Sequence, residues 1–323
     1  MTKEIKQKNQ VNGSLDLSDK DEYGHDWGKF PQFHNESWYF NFIDRPNNVF
    51  LITRLSYHMD KNKSLVLVLL IIDGKARVYF KEIPLEKMPA NWEIDKKIKY
   101  YCVEPMKQWR IKFKNSKVDL DINLEGRFPI FNSAEGTDPL AILKDNHNKT
   151  ELVFAQMHYE QPMIATGTLI LKKKGEVIET RNIKALGQRD HSWGVREWAG
   201  IDSWNWVSAQ FEDQTINFYK AEALGEVKQD GIIYSKDAEN IKIENIEVST
   251  KTKENEKTPV SSTYILTDEN GNKRTIESKT IFSQYLPLPS EKGLTEIYEQ
   301  VAIFTCNGKE GDGISEYLSS TRN

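Results

Sequence analysis

The residues with the richest chemistry lie in one short segment, Gly187–Trp198. This segment contains two arginines, two acids, one histidine and two tryptophans. Two further tryptophans follow at Trp204 and Trp206, so half of the chain's eight tryptophans lie close together. Large aromatic side chains beside titratable groups are typical of a pocket that encloses an apolar ligand and acts on it with a few polar groups. The segment therefore predicts a binding or catalytic pocket.

The residue types in this segment suit the protonation of an isolated carbon–carbon double bond. Proton delivery to carbon needs a carboxyl group that an apolar site keeps protonated by raising its pKa. The resulting carbocation needs an electron-rich wall, and a tryptophan face supplies about 2 kcal/mol to a desolvated cation. We assign Asp190 as the acid and His191 as its partner or as a water-orienting base. Trp193 and Trp198 are the predicted walls, and Gly194 leaves room for close approach to Trp193.

Structural roles compete with these chemical ones. Arg189 and Arg196 can form ion pairs that fix the geometry between domains, and this role is favoured over ligand contact because arginine–carboxylate forks are common. Their candidate partners are Asp190, Glu197 and Glu160. A single aspartate such as Asp190 is more often an ion-pair partner than a catalytic acid. His191 is equally consistent with a hydrogen-bonded core histidine.

The two later tryptophans have the spacing of a single strand face. Trp204 and Trp206 alternate with polar residues and share that face with Ser208, which favours a place in the core over a place in a pocket wall. The complete set of candidate ligand-contacting residues is Trp193, Trp198, Arg189, Arg196, Trp206 and Glu160.

The rest of the chain predicts an antiparallel all-β protein. From Trp38 onward, alternating or continuous β-rich runs recur, and four Asp-Gly or Asn-Gly pairs between them are typical of hairpin turns. These pairs are Asp73-Gly74, Asp230-Gly231, Asn270-Gly271 and Asn307-Gly308. One short helix is expected within Gly136–Asn146, with Pro139 in its first turn. The expected architecture is two antiparallel β-barrels or sandwiches in tandem.

A domain boundary is predicted near residue 140. Gly126–Thr150 is loop-like, since Gly, Pro, Asn and Asp are scattered through it. We therefore predict a flexible polar tail over residues 1–30, which becomes ordered near Trp27 or Phe30. An N-terminal β-domain is predicted over residues 31–140 and a C-terminal β-domain, which carries the tryptophan-rich segment, over residues 141–323.

Composition narrows the classes of function. The formal charge of −4 argues against an extended nucleic-acid surface. The longest apolar run, Leu65–Ile72, is far shorter than the roughly 20 residues of a membrane span, and the start lacks an apolar signal region, so a cytoplasmic location is predicted. Cys102 and Cys306 are expected to be two buried free thiols. Since no zinc or iron spacing, phosphate loop or dinucleotide motif occurs, no metal or cofactor is expected.

Gly187–Trp198 resembles the Arg-Asp-His-Ser-Trp-Gly-x-Arg-x-Trp signature of the hydroxyneurosporene synthase-like family, the carotenoid hydratases and their relatives. Other segments resemble the family in the same order along the chain, over residues 36–317. They are Glu36–Phe40, Glu104-Pro105 with Trp109-Arg110, His158–Gln161 with Gly167, and Gly311–Gly313 with Glu316-Tyr317. The resemblance implies two lipocalin-like β-domains in tandem.

The resemblance also implies roles for particular residues. In the carotenoid hydratases, the histidine and tryptophan of the signature act with a tyrosine and an aspartate on a later strand. His191 and Trp193 match the first pair, and Tyr219 is the counterpart of the tyrosine, so that Tyr219 joins Asp190 and His191 as a candidate catalytic residue. The aspartate has no counterpart, because Lys220–Glu222 follow the tyrosine.

Three hypotheses of function follow. The first is a cofactor-independent hydratase, cyclase or isomerase that acts on an isoprenoid or other apolar small molecule by acid-initiated chemistry. The second is a non-catalytic, lipocalin-like protein that binds a lipophile in the same pocket. The third makes the tryptophan-rich segment a purely structural link between domains. In the first two cases the partner is an apolar small molecule rather than a nucleic acid, and peripheral membrane association would give access to a lipid.

Overall fold

Two antiparallel β assemblies make up the described chain. The computed structural model describes residues 17–133, 156–254, 257–290 and 292–322. Helical structure in these ranges is limited to three 3₁₀ turns, which are Asp19–Glu22, Met59–Lys61 and Trp198–Gly200. The predicted all-β, lipocalin-like fold is confirmed, as a half-barrel sheet followed by a closed barrel. Within the same ranges, no helix has the length and apolar content of a membrane span.

The first assembly is an open sheet of ten strands. They are β1 (His34–Asp44), β2 (Val49–His58), β3 (Lys63–Ile72), β4 (Lys75–Pro84), β5 (Ile98–Glu104), β6 (Gln108–Lys114), β7 (Val118–Gly126), β8 (Phe131–Asn132), β9 (Gln156–Lys173) and β10 (Glu176–Val195). Their order in the sheet is β4-β3-β2-β1-β10-β9-β7-β6-β5, and β8 pairs with β9. The pairing of β1 with β10 places most of the tryptophan-rich segment at the centre of this sheet.

The second assembly is a closed barrel of eight strands. They are β11 (Ser203–Gln210), β12 (Gln214–Ala223), β13 (Glu226–Ser235), β14 (Ile241–Thr252), β15 (Pro259–Asp268), β16 (Lys273–Ser290), β17 (Gly293–Cys306) and β18 (Lys309–Arg322). Each strand pairs with the next, and β11 closes the ring by pairing with β18.

The sheet buries both of its faces at β1. Because side chains alternate along a strand, Trp38, Phe40 and Phe42 enter the core of the first assembly, whereas Tyr39 and Ile43 face the barrel. The barrel contributes residues of its outer surface to this second cluster, namely Trp206, Val301 and Ile314. The sheet therefore packs face-on against the outside of the barrel, and this contact defines the space in which a site between the assemblies can form.

The division of the chain differs from the one predicted. Residues 156–195 belong to the first sheet, and the change of assembly falls between Val195 and Ser203 rather than at residue 140. The pairing between β1 and β10 spans about half of the chain, and local sequence patterns carry no sign of such distant partners. Residues 17–30 also depart from the predicted tail, because Glu22 is fully buried beneath the sheet's core face. Residues 1–16 and the predicted helix Gly136–Asn146 lie outside the described residues.

Three of the four predicted hairpin pairs lie in turns, and one does not. Asp73-Gly74, Asn270-Gly271 and Asn307-Gly308 each connect successive strands. Gly231 instead lies inside β13, where an added Cβ would come within 2.5 Å of Phe218 Cβ, so this glycine permits close strand packing. The cysteines also differ from expectation in part, since Cys306 is buried but Cys102 is only half-buried.

Candidate functional site

The tryptophan-rich segment divides into two sets of side chains because most of it forms a strand. In β10, Asp190 lies opposite Tyr39 of β1 and faces the barrel, whereas His191 lies opposite Trp38 and faces the core of the first assembly. Arg189 and Trp193 share the core face with His191. The sequence prediction of one pocket formed by Asp190, His191 and Trp193 is therefore corrected by the alternation of the strand itself.

A cavity of about 160 Å³ lies between the sheet and the barrel. The sheet contributes residues from β1, β2, β3, β4, β9 and β10, and the barrel contributes residues from β11, β16, β17 and β18. Much of the wall is apolar or aromatic, and it includes Trp198, Trp204, Trp206, Leu65, Leu67, Phe80, Leu286, Leu288 and Ile297. The ionisable groups in the wall are Tyr39, Arg54, His58, His158, Asp190, Arg196, Glu299 and Glu316.

Asp190 is the acid of the sequence prediction, and its carboxyl group borders this cavity. Burial raises its pKa to about 6, and the negative charge of Glu160 acts in the same direction, against the opposing effect of His158, Arg54 and Arg196. Among the described residues, none forms an ion pair or a hydrogen bond with the Asp190 carboxylate. With this raised pKa, the Asp190 carboxyl group is half protonated at about pH 6, where an exposed aspartate would be ionised, and it borders a partly enclosed space.

A second acidic group faces Asp190 from the barrel. Glu299 of β17 and Glu316 of β18 are register partners, and both line the cavity. Burial raises the pKa of Glu299 well above its usual range, and the adjacent Glu316 raises it further by charge repulsion and a hydrogen bond. Burial also raises the pKa of Glu316. Two carboxyl groups this close tend to share one proton, because two negative charges at this distance would repel each other. Glu299 Oε2 is buried and has no hydrogen-bond partner among the described residues.

Two cations complete the polar wall of the cavity. Arg54 donates hydrogen bonds to Ser37 Oγ at 3.0 Å and to Asn35 Oδ1 at 3.4 Å. The guanidinium groups of Arg54 and Arg196 lie 5.4 Å and 4.8 Å from the ring centroid of Trp198. Burial lowers the pKa of Arg196 to about 10, despite the favourable charge of Asp190.

Glu160 lies behind the cavity wall, and it joins the sheet to the barrel. Its Oε1 accepts a hydrogen bond from Trp206 Nε1 at 2.6 Å and lies 2.9 Å from His158 Nε2. Its Oε2 accepts a hydrogen bond from Gln188 Nε2 at 2.8 Å. Trp206 and His158 line the cavity, but Glu160 does not, so the predicted ligand contact for Glu160 is replaced by a supporting role.

Arg189 forms a buried clasp on the opposite face of β10. Its guanidinium donates to Glu22 Oε1 at 2.7 Å and to Glu22 Oε2 at 3.2 Å, and both side chains are fully buried. Gln161 Oε1 accepts a further hydrogen bond from Arg189 Nε at 2.8 Å. The predicted ion pair of Arg189 exists, but its partner lies in the segment that the sequence assigned to a flexible tail. The predicted ligand contact of Arg189 is therefore corrected.

His191 and Trp193 also lie on this core face. The His191 ring stacks on Trp38 at 4.4 Å between centroids, and Nδ1 donates to the carbonyl oxygen of Asp21 at 2.9 Å. Trp193 stacks on His25 at 4.3 Å. Neither side chain borders the cavity, so the roles of base and cavity wall predicted for them are corrected.

The remaining predicted residues lie near the cavity. Trp198, Trp206 and Arg196 line it, so their contact with a ligand stays a prediction, and Trp204 lines it although the sequence favoured a core position. Tyr219 stacks on Trp204 at 5.2 Å between ring centroids, one layer back from the cavity. The structure thus brings together Asp190, Arg196, Trp198 and Trp206, and separates them from His191, Trp193 and Arg189.

Sequence reasoning did not assign six ionisable residues of the cavity wall to the site, which are Tyr39, Arg54, His58, His158, Glu299 and Glu316. A weak signal existed for two of them. Arg54 interrupts the apolar run of β2, and Glu299 interrupts that of β17, and a charge at a buried strand position indicates a compensated or functional site. Their convergence depends on contacts between strands far apart in the chain.

Comparisons with solved structures support the fold. An AttH protein (NE1406) from Nitrosomonas europaea is 14% identical, with a TM-score of 0.66 over 96% of this chain and 98% of that one. Kievitone hydratase from Nectria haematococca is 12% identical, with a TM-score of 0.61 over 96% and 97% of the two chains. CghA is 9% identical, with a TM-score of 0.62 over 97% and 94%. At such identities these likenesses show a shared fold alone.

Comparisons of sequence give the family. No curated protein is significantly similar to this chain. The resemblance to hydroxyneurosporene synthases remains a prediction. A family model described as "Domain of unknown function (DUF7064)" matches residues 18–321. Because that match covers nearly the whole chain, the protein belongs to the DUF7064 family.

Proposed function

We propose that this protein is a cofactor-independent hydratase, cyclase or isomerase that protonates an apolar small molecule in the cavity between sheet and barrel. One observation carries the proposal. The Asp190 carboxyl group, whose pKa is raised to about 6, borders a partly enclosed space whose wall includes Trp198, Trp204 and Trp206. A carboxyl group with a raised pKa keeps its proton closer to neutral pH than an exposed aspartate does, and acid-initiated chemistry on carbon needs such a donor.

The reaction begins when the Asp190 carboxyl group transfers its proton to one carbon of a substrate double bond. The π electron pair forms the new C–H bond, and positive charge develops on the neighbouring carbon beside the indole rings. In a hydratase, water adds to this carbon and returns a proton to the Asp190 carboxylate. In an isomerase, an adjacent C–H bond supplies that proton, and in a cyclase a second double bond attacks first. Each route restores the acid, so no cofactor is consumed.

The Glu299–Glu316 pair supports this chemistry from the barrel side. We assign the shared proton chiefly to Glu299, because its pKa is raised most strongly by burial and by the Glu316 charge. The pair then carries one negative charge opposite the site of the carbocation, where Arg54 and Arg196 balance it in the resting state. The barrel wall therefore provides electrostatic stabilisation, and Asp190 provides the proton.

The size of the cavity favours a small apolar group. Its volume of about 160 Å³ is near that of an engineered apolar cavity, about 150 Å³, which binds benzene. One ring or one branched isoprenoid unit fits such a space. The rest of a longer substrate would extend out of the cavity at its rim. Phe80 and Leu288 line the cavity there and are 60% and 39% exposed to solvent. An isoprenoid is the substrate class that we propose, with its reacting end beside Asp190.

A non-catalytic lipophile-binding protein is the second candidate. The observation that favours it is the amount of apolar and aromatic wall around the acid, because three indole rings would bind a lipophile without any proton transfer. A purely structural role suits only the core face of β10, where Arg189 and His191 contact residues 21 and 22. The same fold in kievitone hydratase and CghA agrees with the enzymatic candidate and leaves the substrate open.

The test compares product formation with binding. Native mass spectrometry of the freshly purified protein would identify a co-purified lipophile, and this compound with a panel of acyclic and cyclic isoprenoids would serve as substrates. We expect conversion in deuterated water to place deuterium on carbon, and the rate to fall as pH rises through about 6, because Asp190 then loses its proton.

The decisive variant is Asp190→Asn, which keeps the shape of the side chain and removes the acid. We expect it to lose about 10²–10⁴-fold in rate while it still quenches tryptophan fluorescence on binding the same ligand. Asp121→Asn, which alters a carboxyl group on β7 that pairs with Arg110 at the surface, is the matched control and should keep full activity. Saturable quenching with no product from any compound would favour the lipophile-binding protein, and full activity of Asp190→Asn would exclude Asp190 as the acid.

A further inference from the structure

We infer that His25, Glu36 and His191 form a binding site for a divalent transition-metal ion, zinc in the first instance, on the core face of the first sheet. This site is separate from the cavity beside Asp190, because it lies on the other side of β1 and β10. It joins His25, in the segment before β1, to Glu36 of β1 and His191 of β10. The proton transfer proposed for Asp190 does not use this site.

The three side chains present their ligand atoms to one point. Glu36 Oε1 lies 2.7 Å from His25 Nδ1 and 3.1 Å from His191 Nε2, and the three atoms all lie within 4.8 Å of one another. Zinc binds histidine nitrogen and carboxylate oxygen at about 2.0–2.2 Å in tetrahedral geometry, so its ligand atoms lie roughly 3.3 Å apart. To accept the ion, Glu36 Oε1 would have to move away from His25 Nδ1 by about 0.6 Å and from His191 Nε2 by about 0.2 Å, and the two histidine nitrogens, which lie within 4.8 Å of each other, would have to adjust to the same spacing.

In each histidine, the ring nitrogen that does not face Glu36 is oriented towards an oxygen atom of Asp21, as is usual in metal sites. His191 Nδ1 donates to the carbonyl oxygen of Asp21 at 2.9 Å, and His25 Nε2 lies 3.5 Å from Asp21 Oδ1. Histidines that bind metals usually donate their other ring N–H to a carbonyl or carboxylate oxygen, which orients the ring and fixes its tautomer. Asp21 thus supplies the outer hydrogen-bond acceptor for both histidines.

The orientation of His191 directs Nε2 at Glu36. Its Nδ1 donates to the carbonyl oxygen of Asp21, so Nε2 faces Glu36 Oε1 at 3.1 Å. A cation between Nε2 and Oε1 would bind both atoms. In the described part of the chain, the only side chains in ion-pair range of the fully buried Glu36 are these two histidines, since Arg189 pairs with Glu22. A buried carboxylate with two imidazoles is a donor set that zinc accepts.

The surroundings enclose the site and leave one way in. Trp38 stacks on His191 and Trp193 stacks on His25, so indole rings cover the two ligands. Glu36 and His191 are fully buried, but the His25 side chain retains 22% exposure. An ion can therefore reach the site from solvent past His25. The bound ion would fasten the segment of residues 17–30 onto the sheet, next to the Glu22–Arg189 clasp.

Local spacing could not reveal this site. His25 and Glu36 are eleven residues apart, and His191 lies 155 residues after Glu36. The expectation of no metal followed from the lack of short ligand spacings, whereas this ligand set forms only when β1 pairs with β10.

The test measures metal binding by the full-length protein directly. Chelator-treated, desalted protein would be titrated with Co²⁺, followed by its visible d–d absorption, and then with Zn²⁺ in competition, with metal content measured by elemental mass spectrometry. We expect one ion per chain, a tetrahedral Co²⁺ spectrum that Zn²⁺ abolishes, and a rise in melting temperature on the order of 5 °C with excess Zn²⁺.

Two variants locate the ion, and one serves as control. His25→Gln changes a partly exposed ligand and should fold, but bind at least tenfold more weakly, and Glu36→Gln should bind no Co²⁺ at equal concentration. His58→Gln alters a histidine outside the site and should keep the spectrum and the stoichiometry. The inference fails if the wild type shows neither a d–d spectrum nor a Zn²⁺-dependent melting shift, or if His25→Gln and Glu36→Gln bind as the wild type does.

Discussion

The two faces of β10 differ in how completely their charges find partners. On the core face, Arg189 makes two hydrogen bonds to Glu22, and both groups are fully buried. On the barrel face, Asp190 borders a cavity without an ion-pair partner among the described residues, and Arg196 rests on the face of Trp198 instead of on a carboxylate. Neighbouring residues of one strand therefore experience opposite electrostatic conditions.

This difference separates residues that stabilise the fold from residues that could take part in a reaction. Matched buried charges stabilise one geometry, and the removal of either partner is strongly destabilising. Unmatched buried groups keep shifted pKa values, which is the property that a proton donor needs. We therefore expect variants on the core face to lower the free energy of unfolding, and variants on the barrel face to change activity and pH dependence.

The largest expected effect contrasts the two arginines of the segment. Arg189→Met should lower the free energy of unfolding by about 3–5 kcal/mol, because it leaves the fully buried Glu22 carboxylate without its cation. Arg196→Met, the comparison variant, should lower it much less, since that arginine has no ion-pair partner among the described residues and burial already disfavours its charged form. Urea unfolding of both variants at neutral pH measures the difference. Equal losses would mean that the two faces do not differ in the way we describe.

The second effect concerns pH and Asp190. Its folded pKa of about 6 exceeds the unfolded value near 3.9, so its stabilising contribution is complete below about pH 4 and is lost as pH rises through 6. Asp190→Asn cannot ionise, and it should therefore be more stable than the wild type at pH 8 by about 3 kcal/mol, an advantage that largely disappears near pH 4. Urea unfolding at pH 4, 6 and 8 would show this trend.

Asp121→Asn provides a control of opposite sign for that experiment. Hydrogen bonding to Arg110 lowers the pKa of Asp121, so this carboxylate stabilises the fold above its unfolded pKa. Its replacement should be neutral or slightly destabilising at pH 8. If Asp190→Asn behaves like Asp121→Asn at every pH, the Asp190 carboxyl group is not desolvated, and the contrast between the faces loses its electrostatic basis.

The sequence predicted the elements better than their partners. The alternation of β1, β2 and β11 and the turns at residues 73–74 and 307–308 are local patterns, and they agree with the structure. The assignment of residues 156–195 to the second domain was wrong because β10 pairs with β1, which local patterns do not encode. The density of chemical groups in Gly187–Trp198 was visible, but its division between two faces was overlooked because β10 was not recognised as a strand.

The site shows the same limit. Asp190, Trp198, Trp206 and Arg196 were named from the sequence and do lie at one cavity. Glu22 and His25 were not named because they fall in the predicted flexible tail. A polar composition gives no sign that residues 17–30 pack onto a sheet. Glu299 and Glu316 meet only through the register of β17 and β18. What sequence reasoning lacked was the pairing of strands, and the chemistry of this site depends on that pairing.

The smallest expected effect concerns the hydrogen bond between Trp206 of the barrel and Glu160 of the sheet. Trp206→Phe removes the hydrogen bond of 2.6 Å from Nε1 to Glu160 Oε1, while His158 and Gln188 still contact that carboxylate. Trp109→Phe is the matched control, because Trp109 is fully buried and its Nε1 has no hydrogen-bond partner among the described residues. Both variants lose the same ring volume, so the difference between their losses of stability, about 1 kcal/mol, reports the hydrogen bond itself. A smaller loss for Trp206→Phe than for Trp109→Phe would mean that Glu160 does not tie the barrel to the sheet, and the cavity would then be bounded by packing alone.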